Sequence, residues 1–232
     1  MRARRLALRK VIYLLGVPGT GKSSVGRELI GILEGECVDV SELVLGKGFY
    51  TTFDRQRATH VADVRRVREF LAQRAISPKG YLVVSSNFAV LVPGASDFFV
   101  FLLRCSPLVL MNRLRERGYD DKKISDNLIA ELIGLSLDDA CATFGSRKVV
   151  EIDVTNLSLS LTASCIIEKL QQGAINSGDR IDWISRLEGD PALDDLLRFI
   201  SRHTSAPELS SARRSIDESK PEAGAGTGWL GR

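Results

Sequence analysis

The chain has 232 residues, of which 44% are hydrophobic and 26% are charged, proportions that are ordinary for a globular protein in water. The formal net charge of +3 is too small to require nucleic acid as a partner. The four cysteines are widely scattered without a C-x-x-C pair, which excludes a disulfide framework or zinc ribbon and favours reduced thiols in a cytoplasmic protein.

The first ten residues form a basic arm in front of an apolar run. A basic segment followed by an apolar run superficially resembles a signal peptide. However, this apolar run leads into a glycine-rich loop and lacks a cleavage site, so we expect no targeting segment. No apolar run approaches the length of a membrane span, and we expect no membrane partner. We interpret residues 1–10 as a solvent-exposed arm, with contact to RNA as the alternative.

The next stretch predicts a phosphate-binding loop. Residues 11–15 are an apolar strand, 16–21 are a glycine-rich turn that begins the pattern G-x-x-x-x-G-K-[ST], and a helix starts near Lys22. Glycines let backbone N–H groups turn onto phosphate oxygens, and the helix N-terminus attracts the same anion. The strand before and the amphipathic helix after disfavour a chance match. The residues predicted to bind ATP are Gly19, Thr20, Gly21, Lys22, Ser23 and Ser24, with the Ser23 hydroxyl as a Mg²⁺ ligand.

Strands and helices alternate along the following residues. This alternation predicts an α/β fold with a five-stranded, mostly parallel sheet covered on both faces, and we assign residues 11–175 to this domain. Further strands are predicted at 37–40, 81–85, 98–103 and 149–154, and helices at 22–34, from 41 onward, 63–71, 106–117, 124–144 and 157–172.

The segment 39–63 follows the second predicted strand, at the sheet edge where ligands bind in such folds. We expect a helix capped by Ser41, then a polar and irregular stretch at 46–60. Loops of this length are uncommon unless they are functional, which favours an acceptor-binding flap over a plain surface loop. The candidate acceptor-binding residues are Ser41, Tyr50, Asp54, Thr59, Asp63 and Arg66.

A basic helix end and a charged bend at 113–127 predict a hinged lid. Arg113 and Arg117 stand four residues apart and therefore share one helical face. Such a segment can close over ATP phosphates and stabilise their charge. The alternative is a solvated basic helix end, which the helix dipole also favours. The predicted catalytic cations are Lys22, Arg113 and Arg117, and Arg117 is also predicted to contact ATP.

The composition changes after residue 175. Two short amphipathic helices are predicted at 181–187 and 191–200, within a helical extension at 176–204 that can pack back on the domain. Residues 205–232 are rich in Ser, Arg, Glu, Gly and Pro. Because such a segment buries too little apolar surface to offset its ordering entropy, we predict a disordered tail.

Taken together, the motifs resemble one family. The matching stretches, in chain order, are GVPGTGKSS, VSELVLGKGFYTTFD, THVADVRRVREFL, RLRERGYDDKKISDNLIAE and KVVEIDVTN. They resemble the adenylate kinase isoenzyme 6 family, and its archaeal branch in particular: small P-loop kinases that are also linked to small-ribosomal-subunit assembly. The resemblance implies the three-layer α/β/α fold of P-loop NTPases, with an NMP-binding segment at about 39–63 and a lid at about 116–126. It also implies Mg²⁺-dependent transfer of the ATP γ-phosphoryl group to AMP, giving two ADP. It also implies a small-subunit ribosomal protein or rRNA as a partner.

The chain departs from the family pattern at the end of the third predicted strand. The family usually has Asp-x-His there, whereas this chain has Ser85-Ser86-Asn87. The family's acid is expected to hold a Mg²⁺-bound water, so a negative charge is missing at this position. Asp39 and Asp63 are candidate substitutes by position. A smaller departure is Arg65, where the family often has an acid.

Three functions stay open on the sequence. The first is adenylate kinase; the second is an ATPase that acts as an assembly factor for the small ribosomal subunit in rRNA processing. The third is a nucleotide-binding interaction protein that has lost catalysis, which the missing acid supports. Another small-molecule kinase of similar architecture is disfavoured through the family resemblance alone.

Overall fold

The computed structural model describes residues 8–55, 59–77, 79–173 and 180–204. The predicted arm lies outside these ranges up to residue 7, and the predicted tail at 205–232 lies wholly outside them. The described strands are β1 (Lys10–Leu15), β2 (Gly35–Asp39), β3 (Tyr50–Asp54), β4 (Thr59–Ala62), β5 (Tyr81–Ser86), β6 (Phe98–Arg104) and β7 (Val149–Asp153). The described α-helices are α1 (Lys22–Ile32), α2 (Val40–Lys47), α3 (Val64–Ala75), α4 (Pro107–Glu116), α5 (Asp121–Leu132), α6 (Leu135–Phe144), α7 (Leu159–Gln171), α8 (Trp183–Leu187) and α9 (Pro191–His203).

Five of the strands form a parallel sheet in the order β2-β5-β1-β6-β7, and they are the five that the sequence predicts. Side chains alternate along β1, so that Ile12 and Leu14 enter one core while Val11, Tyr13 and Leu15 enter the other. Helices α1, α4, α5, α7, α8 and α9 cover the first face, and α2, α3 and α6 cover the second. The predicted three-layer α/β/α fold is confirmed.

The strand order sets the position of the site. Because all five strands run parallel, their carboxyl ends lie along one edge of the sheet, next to the loop that follows β1. The chain crosses from one side of β1 to the other between β5 and β6, and such a reversal opens a crevice at this edge.

The expectation of an irregular stretch at 46–60 is wrong in part. Strands β3 and β4 form an antiparallel hairpin in which Thr52 pairs with Val61 and Phe53 pairs with His60. Threonine, tyrosine and phenylalanine favour extended backbone, and the His60 ring packs against the rings of Tyr50 and Phe53, with centroid distances of 4.1 and 5.0 Å. This local pairing outweighs the polar composition on which the prediction rested.

Two helix boundaries also differ from the prediction. Asp39, rather than Ser41, caps α2, since its carboxylate accepts hydrogen bonds from the N–H groups of Ser41 and Glu42 at 2.9 and 3.1 Å. The single long helix predicted at 124–144 is two helices. Gly134, with a φ of +69°, ends the first and starts the second.

The described part of the C-terminal extension packs onto the first core. Trp183, Leu196 and Ile200 are buried among residues of α4, α5 and α7. The Trp183 Nε1 atom donates a 2.8 Å hydrogen bond to Glu131 on α5. The two short predicted helices are therefore integral to the folded unit. Within the described ranges, no helix has both the length and the apolar character that crossing a membrane requires.

Candidate nucleotide-binding site

The loop between β1 and α1 closes tightly against its neighbours. Gly16 has a φ of +140°, and a Cβ there would lie 2.5 Å from the Leu103 carbonyl oxygen. Gly19 has a φ of +94°, and a Cβ there would lie 2.7 Å from Leu110 Cδ1. Other residues rarely adopt these angles, so both positions require glycine, and the turn takes the tight form that the motif predicts.

The start of α1 faces the same crevice. Gly21 precedes the helix in a left-handed conformation, with a φ of +90°, and no side chain caps the first turn. The first N–H groups of a helix have no intrahelical partners and carry the positive end of its dipole. The helix therefore presents donors that suit a phosphate group.

Lys22 is buried at the base of the loop. Its side chain is 7% exposed, and its Nζ atom donates a 2.9 Å hydrogen bond to the Val17 carbonyl oxygen. Burial lowers the pKa of Lys22 to about 7; the Asp39 carboxylate raises the pKa, and the Arg117 guanidinium lowers it further. Burial disfavours the charged form of the amine. A polyphosphate bound in the loop would have the opposite effect, because its negative charge stabilises the protonated amine.

Asp39 joins two strand ends to the loop. Its Oδ2 atom accepts a short hydrogen bond from the Ser23 hydroxyl and one of 3.3 Å from the Ser85 hydroxyl. Asp39 and Ser85 stand opposite each other in the β2–β5 register. Asp63, the other candidate substitute for the missing acid, caps α3 through the Arg66 N–H at 3.1 Å and does not line the cavity beside the loop.

The two predicted lid arginines have different surroundings. Arg117 lies where α4 ends and lines the cavity above the loop together with Tyr119. The Arg113 guanidinium donates to the carbonyl oxygens of Val154 and Thr155 at 3.2 and 3.1 Å. Arg113 is thus anchored to the loop after β7, whereas Arg117 projects over the phosphate-binding turn.

A second cavity adjoins the loop on its other side. Gly19, Gly21, Ser24 and Arg117 line both cavities, so the two are continuous around the loop. The lining of the second cavity is mixed, with apolar side chains beside hydroxyl groups and two arginines, and the sequence motifs did not predict this cavity. Part of this lining comes from the segment after β7 and the start of α7, namely Val154, Leu157, Ser158, Leu159 and Thr162.

Comparisons with known proteins identify the family. A family model described as an AAA domain matches residues 12–134, more than half of the chain. The adenylate kinase isoenzyme 6 homolog of Caenorhabditis elegans is 32% identical over 141 residues, 61% of this chain and 78% of that protein. The chain belongs to the adenylate kinase isoenzyme 6 family. The "Putative adenylate kinase" of Thermococcus onnurineus is 32% identical over 174 residues, 75% of this chain and 91% of that protein.

Longer matches extend beyond the family core. The protein of the same printed name from Saccharolobus solfataricus is 29% identical over 193 residues, which cover 83% of this chain and 97% of that protein. At this length the match extends beyond the predicted domain at 11–175 and into the predicted extension at 176–204. The adenylate kinase isoenzyme 6 family thus accounts for most of the described fold.

The predicted acceptor residues of this family member divide into two groups. Ser41 lines the cavity above the loop with Glu42 and Asn87, and the Asn87 amide donates to its hydroxyl at 3.3 Å. Arg66 lies outside that cavity, where its guanidinium donates to the Gly48 carbonyl oxygen at 3.1 Å and stacks on Phe49. The remaining predicted residues also lie outside it, on the hairpin or at the start of α3, namely Tyr50, Asp54, Thr59 and Asp63.

Proposed function

We propose that the chain is an adenylate kinase, which transfers the γ-phosphoryl group of ATP to AMP in the presence of Mg²⁺ and gives two ADP. Membership of the adenylate kinase isoenzyme 6 family supports this function. The main observation behind the proposal is the cavity beside the phosphate-binding turn, which Lys22, Ser23 and Arg117 line together with the hydrogen-bonded pair of Ser41 and Asn87. Donor-side and acceptor-side groups thus face one space.

The ATP phosphates bind along the loop and the start of α1, and the base occupies the second cavity, where Leu157 and Leu159 offer apolar contact. Lys22 and Arg117 stabilise the charge on the transferring phosphoryl group, while Arg113 positions the wall that it anchors. The AMP phosphate is already anionic at neutral pH and attacks without a general base. For Tyr50, Asp54, Thr59, Asp63 and Arg66 to bind the acceptor, the hairpin and the start of α3 have to approach the cavity when AMP is present.

Magnesium is implied by this function, and the residues fit it. The Ser23 hydroxyl lies beside a carboxylate and another hydroxyl, and these hard oxygen atoms are the ligands that Mg²⁺ prefers. Ser23 would hold the ion, with the oxygen atoms of Asp39 and Ser85 within reach of the same space. When bound, the ion neutralises phosphate charge and orients the reacting oxygens.

An acceptor series tests the reaction itself. We expect ADP formation from ATP and Mg²⁺ to depend on AMP, with CMP, dAMP and no acceptor as the comparison arms of a coupled ADP assay. Phosphate release without any acceptor would instead indicate an ATPase, the activity expected of a ribosome-assembly factor. Nucleotide binding without turnover in every arm would indicate a binding protein that has lost catalysis.

Replacing Arg117 by alanine is expected to lower kcat by about 100-fold, because the side chain adds positive charge above the transferring group. The matched control is Arg147→Ala, an exposed arginine that lies outside both cavities. Steady-state ADP formation with saturating ATP and AMP measures the effect. An Arg117→Ala variant with the turnover of the control would remove this residue from the mechanism.

A further inference from the structure

We infer that Asp39 is the carboxylate that holds Mg²⁺ in this chain and takes the place of the acid missing from the end of β5. The inference rests on the proposed function, because it assumes that a Mg²⁺–nucleotide complex occupies the loop. It goes beyond that function by placing the metal's acidic partner on a different strand from the one the family pattern leads one to expect.

The position of Asp39 carries the inference. Strands β2 and β5 are neighbours, and Asp39 stands directly opposite Ser85 in their register. The Asp39 Oδ2 atom is within hydrogen-bond distance of both the Ser85 and the Ser23 hydroxyls. A carboxylate on β2 therefore reaches the space that an aspartate at position 85 would occupy, and it already contacts the hydroxyl predicted to ligate the metal.

The orientation of Asp39 is fixed before any metal binds. Its Oδ1 atom accepts hydrogen bonds from the Ser41 and Glu42 N–H groups, which form the cap of α2. This leaves Oδ2 directed at Ser23 and Ser85, both hydroxyl donors that a cation or a metal-bound water can replace as partners. A carboxylate held in this way loses little side-chain entropy on binding an ion.

The charges in the cavity agree with this assignment. Two carboxylates line it, and the Glu42 carboxylate is paired with the Arg27 guanidinium at 2.7 Å. Asp39 instead has hydroxyl and amide donors. Among the described residues there is no group of three or more His, Cys, Asp or Glu side chains arranged for a metal. Such a sparse donor set suits Mg²⁺, which keeps several waters and uses one or two carboxylates plus phosphate oxygens.

Metal affinity tests the inference directly, with Mn²⁺ as a spectroscopic substitute for Mg²⁺. Electron paramagnetic resonance titrations of Mn²⁺ into the complex of the full chain with ADP should show binding at least about 10-fold weaker for Asp39→Asn. Asparagine is also a good helix cap, so the α2 cap is retained. ADP binding measured in EDTA should not weaken, because without a metal the carboxylate does not attract the phosphates. Asp97→Asn, which alters an exposed acid outside the cavity, is the matched control and should bind Mn²⁺ like the unmodified chain.

A second test transfers the negative charge from position 39 to position 85. Asp39→Asn combined with Ser85→Asp should recover most of the lost Mn²⁺ affinity, because the two positions face one space. Ser85→Asp alone, which leaves the α2 cap untouched, should tighten Mn²⁺ binding and make the reaction more strongly Mg²⁺-dependent, so the test stands even if Asp39→Asn does not fold. A folded Asp39→Asn variant with unchanged Mn²⁺ affinity overturns the inference. If that variant does not fold, a Ser85→Asp variant with unchanged Mn²⁺ affinity overturns it instead.

The two proposals fail in distinguishable ways. If AMP-dependent ADP formation is robust but Asp39→Asn leaves Mn²⁺ affinity intact, the kinase assignment stands and the metal assignment is wrong. If no acceptor is phosphorylated but Asp39→Asn weakens Mn²⁺ binding to the ADP complex, the metal site stands and the kinase assignment is wrong.

Discussion

Replacing Lys22 by alanine is expected to lower kcat for ADP formation by about 1,000-fold, the largest catalytic effect among the substitutions considered. The amine lies under the phosphate-binding turn, beside the start of α1 and the Ser23 hydroxyl. Its present hydrogen bond is to the Val17 carbonyl oxygen, a neutral partner that phosphate oxygens replace when nucleotide binds. The positive charge then acts where negative charge develops, from a side chain that is itself buried.

Two further variants separate charge from packing at this position. Lys22→Met keeps most of the side-chain volume without the charge and should be about as inactive as Lys22→Ala. Lys79→Ala removes an exposed lysine remote from both cavities and should keep full turnover. Each variant's melting temperature, measured without nucleotide, checks that the fold is intact. A Lys22→Met variant with normal kcat would show that the charge is dispensable and would contradict the mechanism.

The sequence predicts the parts of the site that depend on local signals. The sequence predicts the position of the turn at 16–21, because its glycines, the apolar strand before it and the helix after it all lie within one short window. The five sheet strands were equally clear, since buried parallel strands appear as compact apolar runs. The positions of these elements along the chain followed from sequence alone.

Contacts between strands that are neighbours in the sheet but distant in the sequence cannot be predicted from such local signals. Asp39 and Ser85 are 46 residues apart and meet only because β2 pairs with β5 rather than with β1. The sequence named Asp39 and Asp63 equally as substitutes for the missing acid. The geometry separates them, because Asp39 contacts Ser23 whereas Asp63 caps α3.

Hydrophobic periodicity and composition do not predict two features of the fold. The break at Gly134 is one, because a single glycine is tolerated within a helical pattern, and only the left-handed conformation of Gly134 shows that α5 ends there. The hairpin of β3 and β4 was hidden by its polar residues, since a strand pattern with little apolar alternation resembles a loop. Both errors concern segments that flank the site rather than the phosphate-binding loop.

The sequence also does not predict a buried ion-pair network beside the site. Arg104 and Glu131 are each 1% exposed, although both appear in the chain as ordinary charged residues at the ends of apolar runs. The Glu131 carboxylate accepts hydrogen bonds from Arg104 Nε at 2.8 Å, the Cys105 N–H at 3.1 Å and Trp183 Nε1 at 2.8 Å. It therefore connects β6 and α5 to the C-terminal extension.

Replacing Glu131 by alanine is expected to lower the free energy of unfolding by about 3–5 kcal/mol, because the change leaves a buried guanidinium short of its partner. Arg104 keeps a second carboxylate, Glu151, at 2.6 Å, but its Nε atom and the Trp183 indole N–H both lose their acceptor. Burial raises the pKa of Glu131 despite the adjacent Arg104, which indicates that the ion pair does not fully offset desolvation of the carboxylate. The expected loss of stability thus comes mainly from leaving Arg104 Nε and the Trp183 indole N–H buried without an acceptor, and less from the strength of the Arg104–Glu131 ion pair.

Urea denaturation followed by tryptophan fluorescence measures this loss and locates it. In a Trp229→Phe background, Trp183 is the single tryptophan of the chain, so its emission reports on the contact with Glu131. Glu131→Ala should shift the native emission to longer wavelength and lower the unfolding midpoint together. Asp195→Ala, which breaks an exposed pair with Arg198 at 3.3 Å, should change the unfolding free energy by less than about 0.5 kcal/mol. An equally small effect of Glu131→Ala would mean that the C-terminal extension is held by its apolar contacts alone.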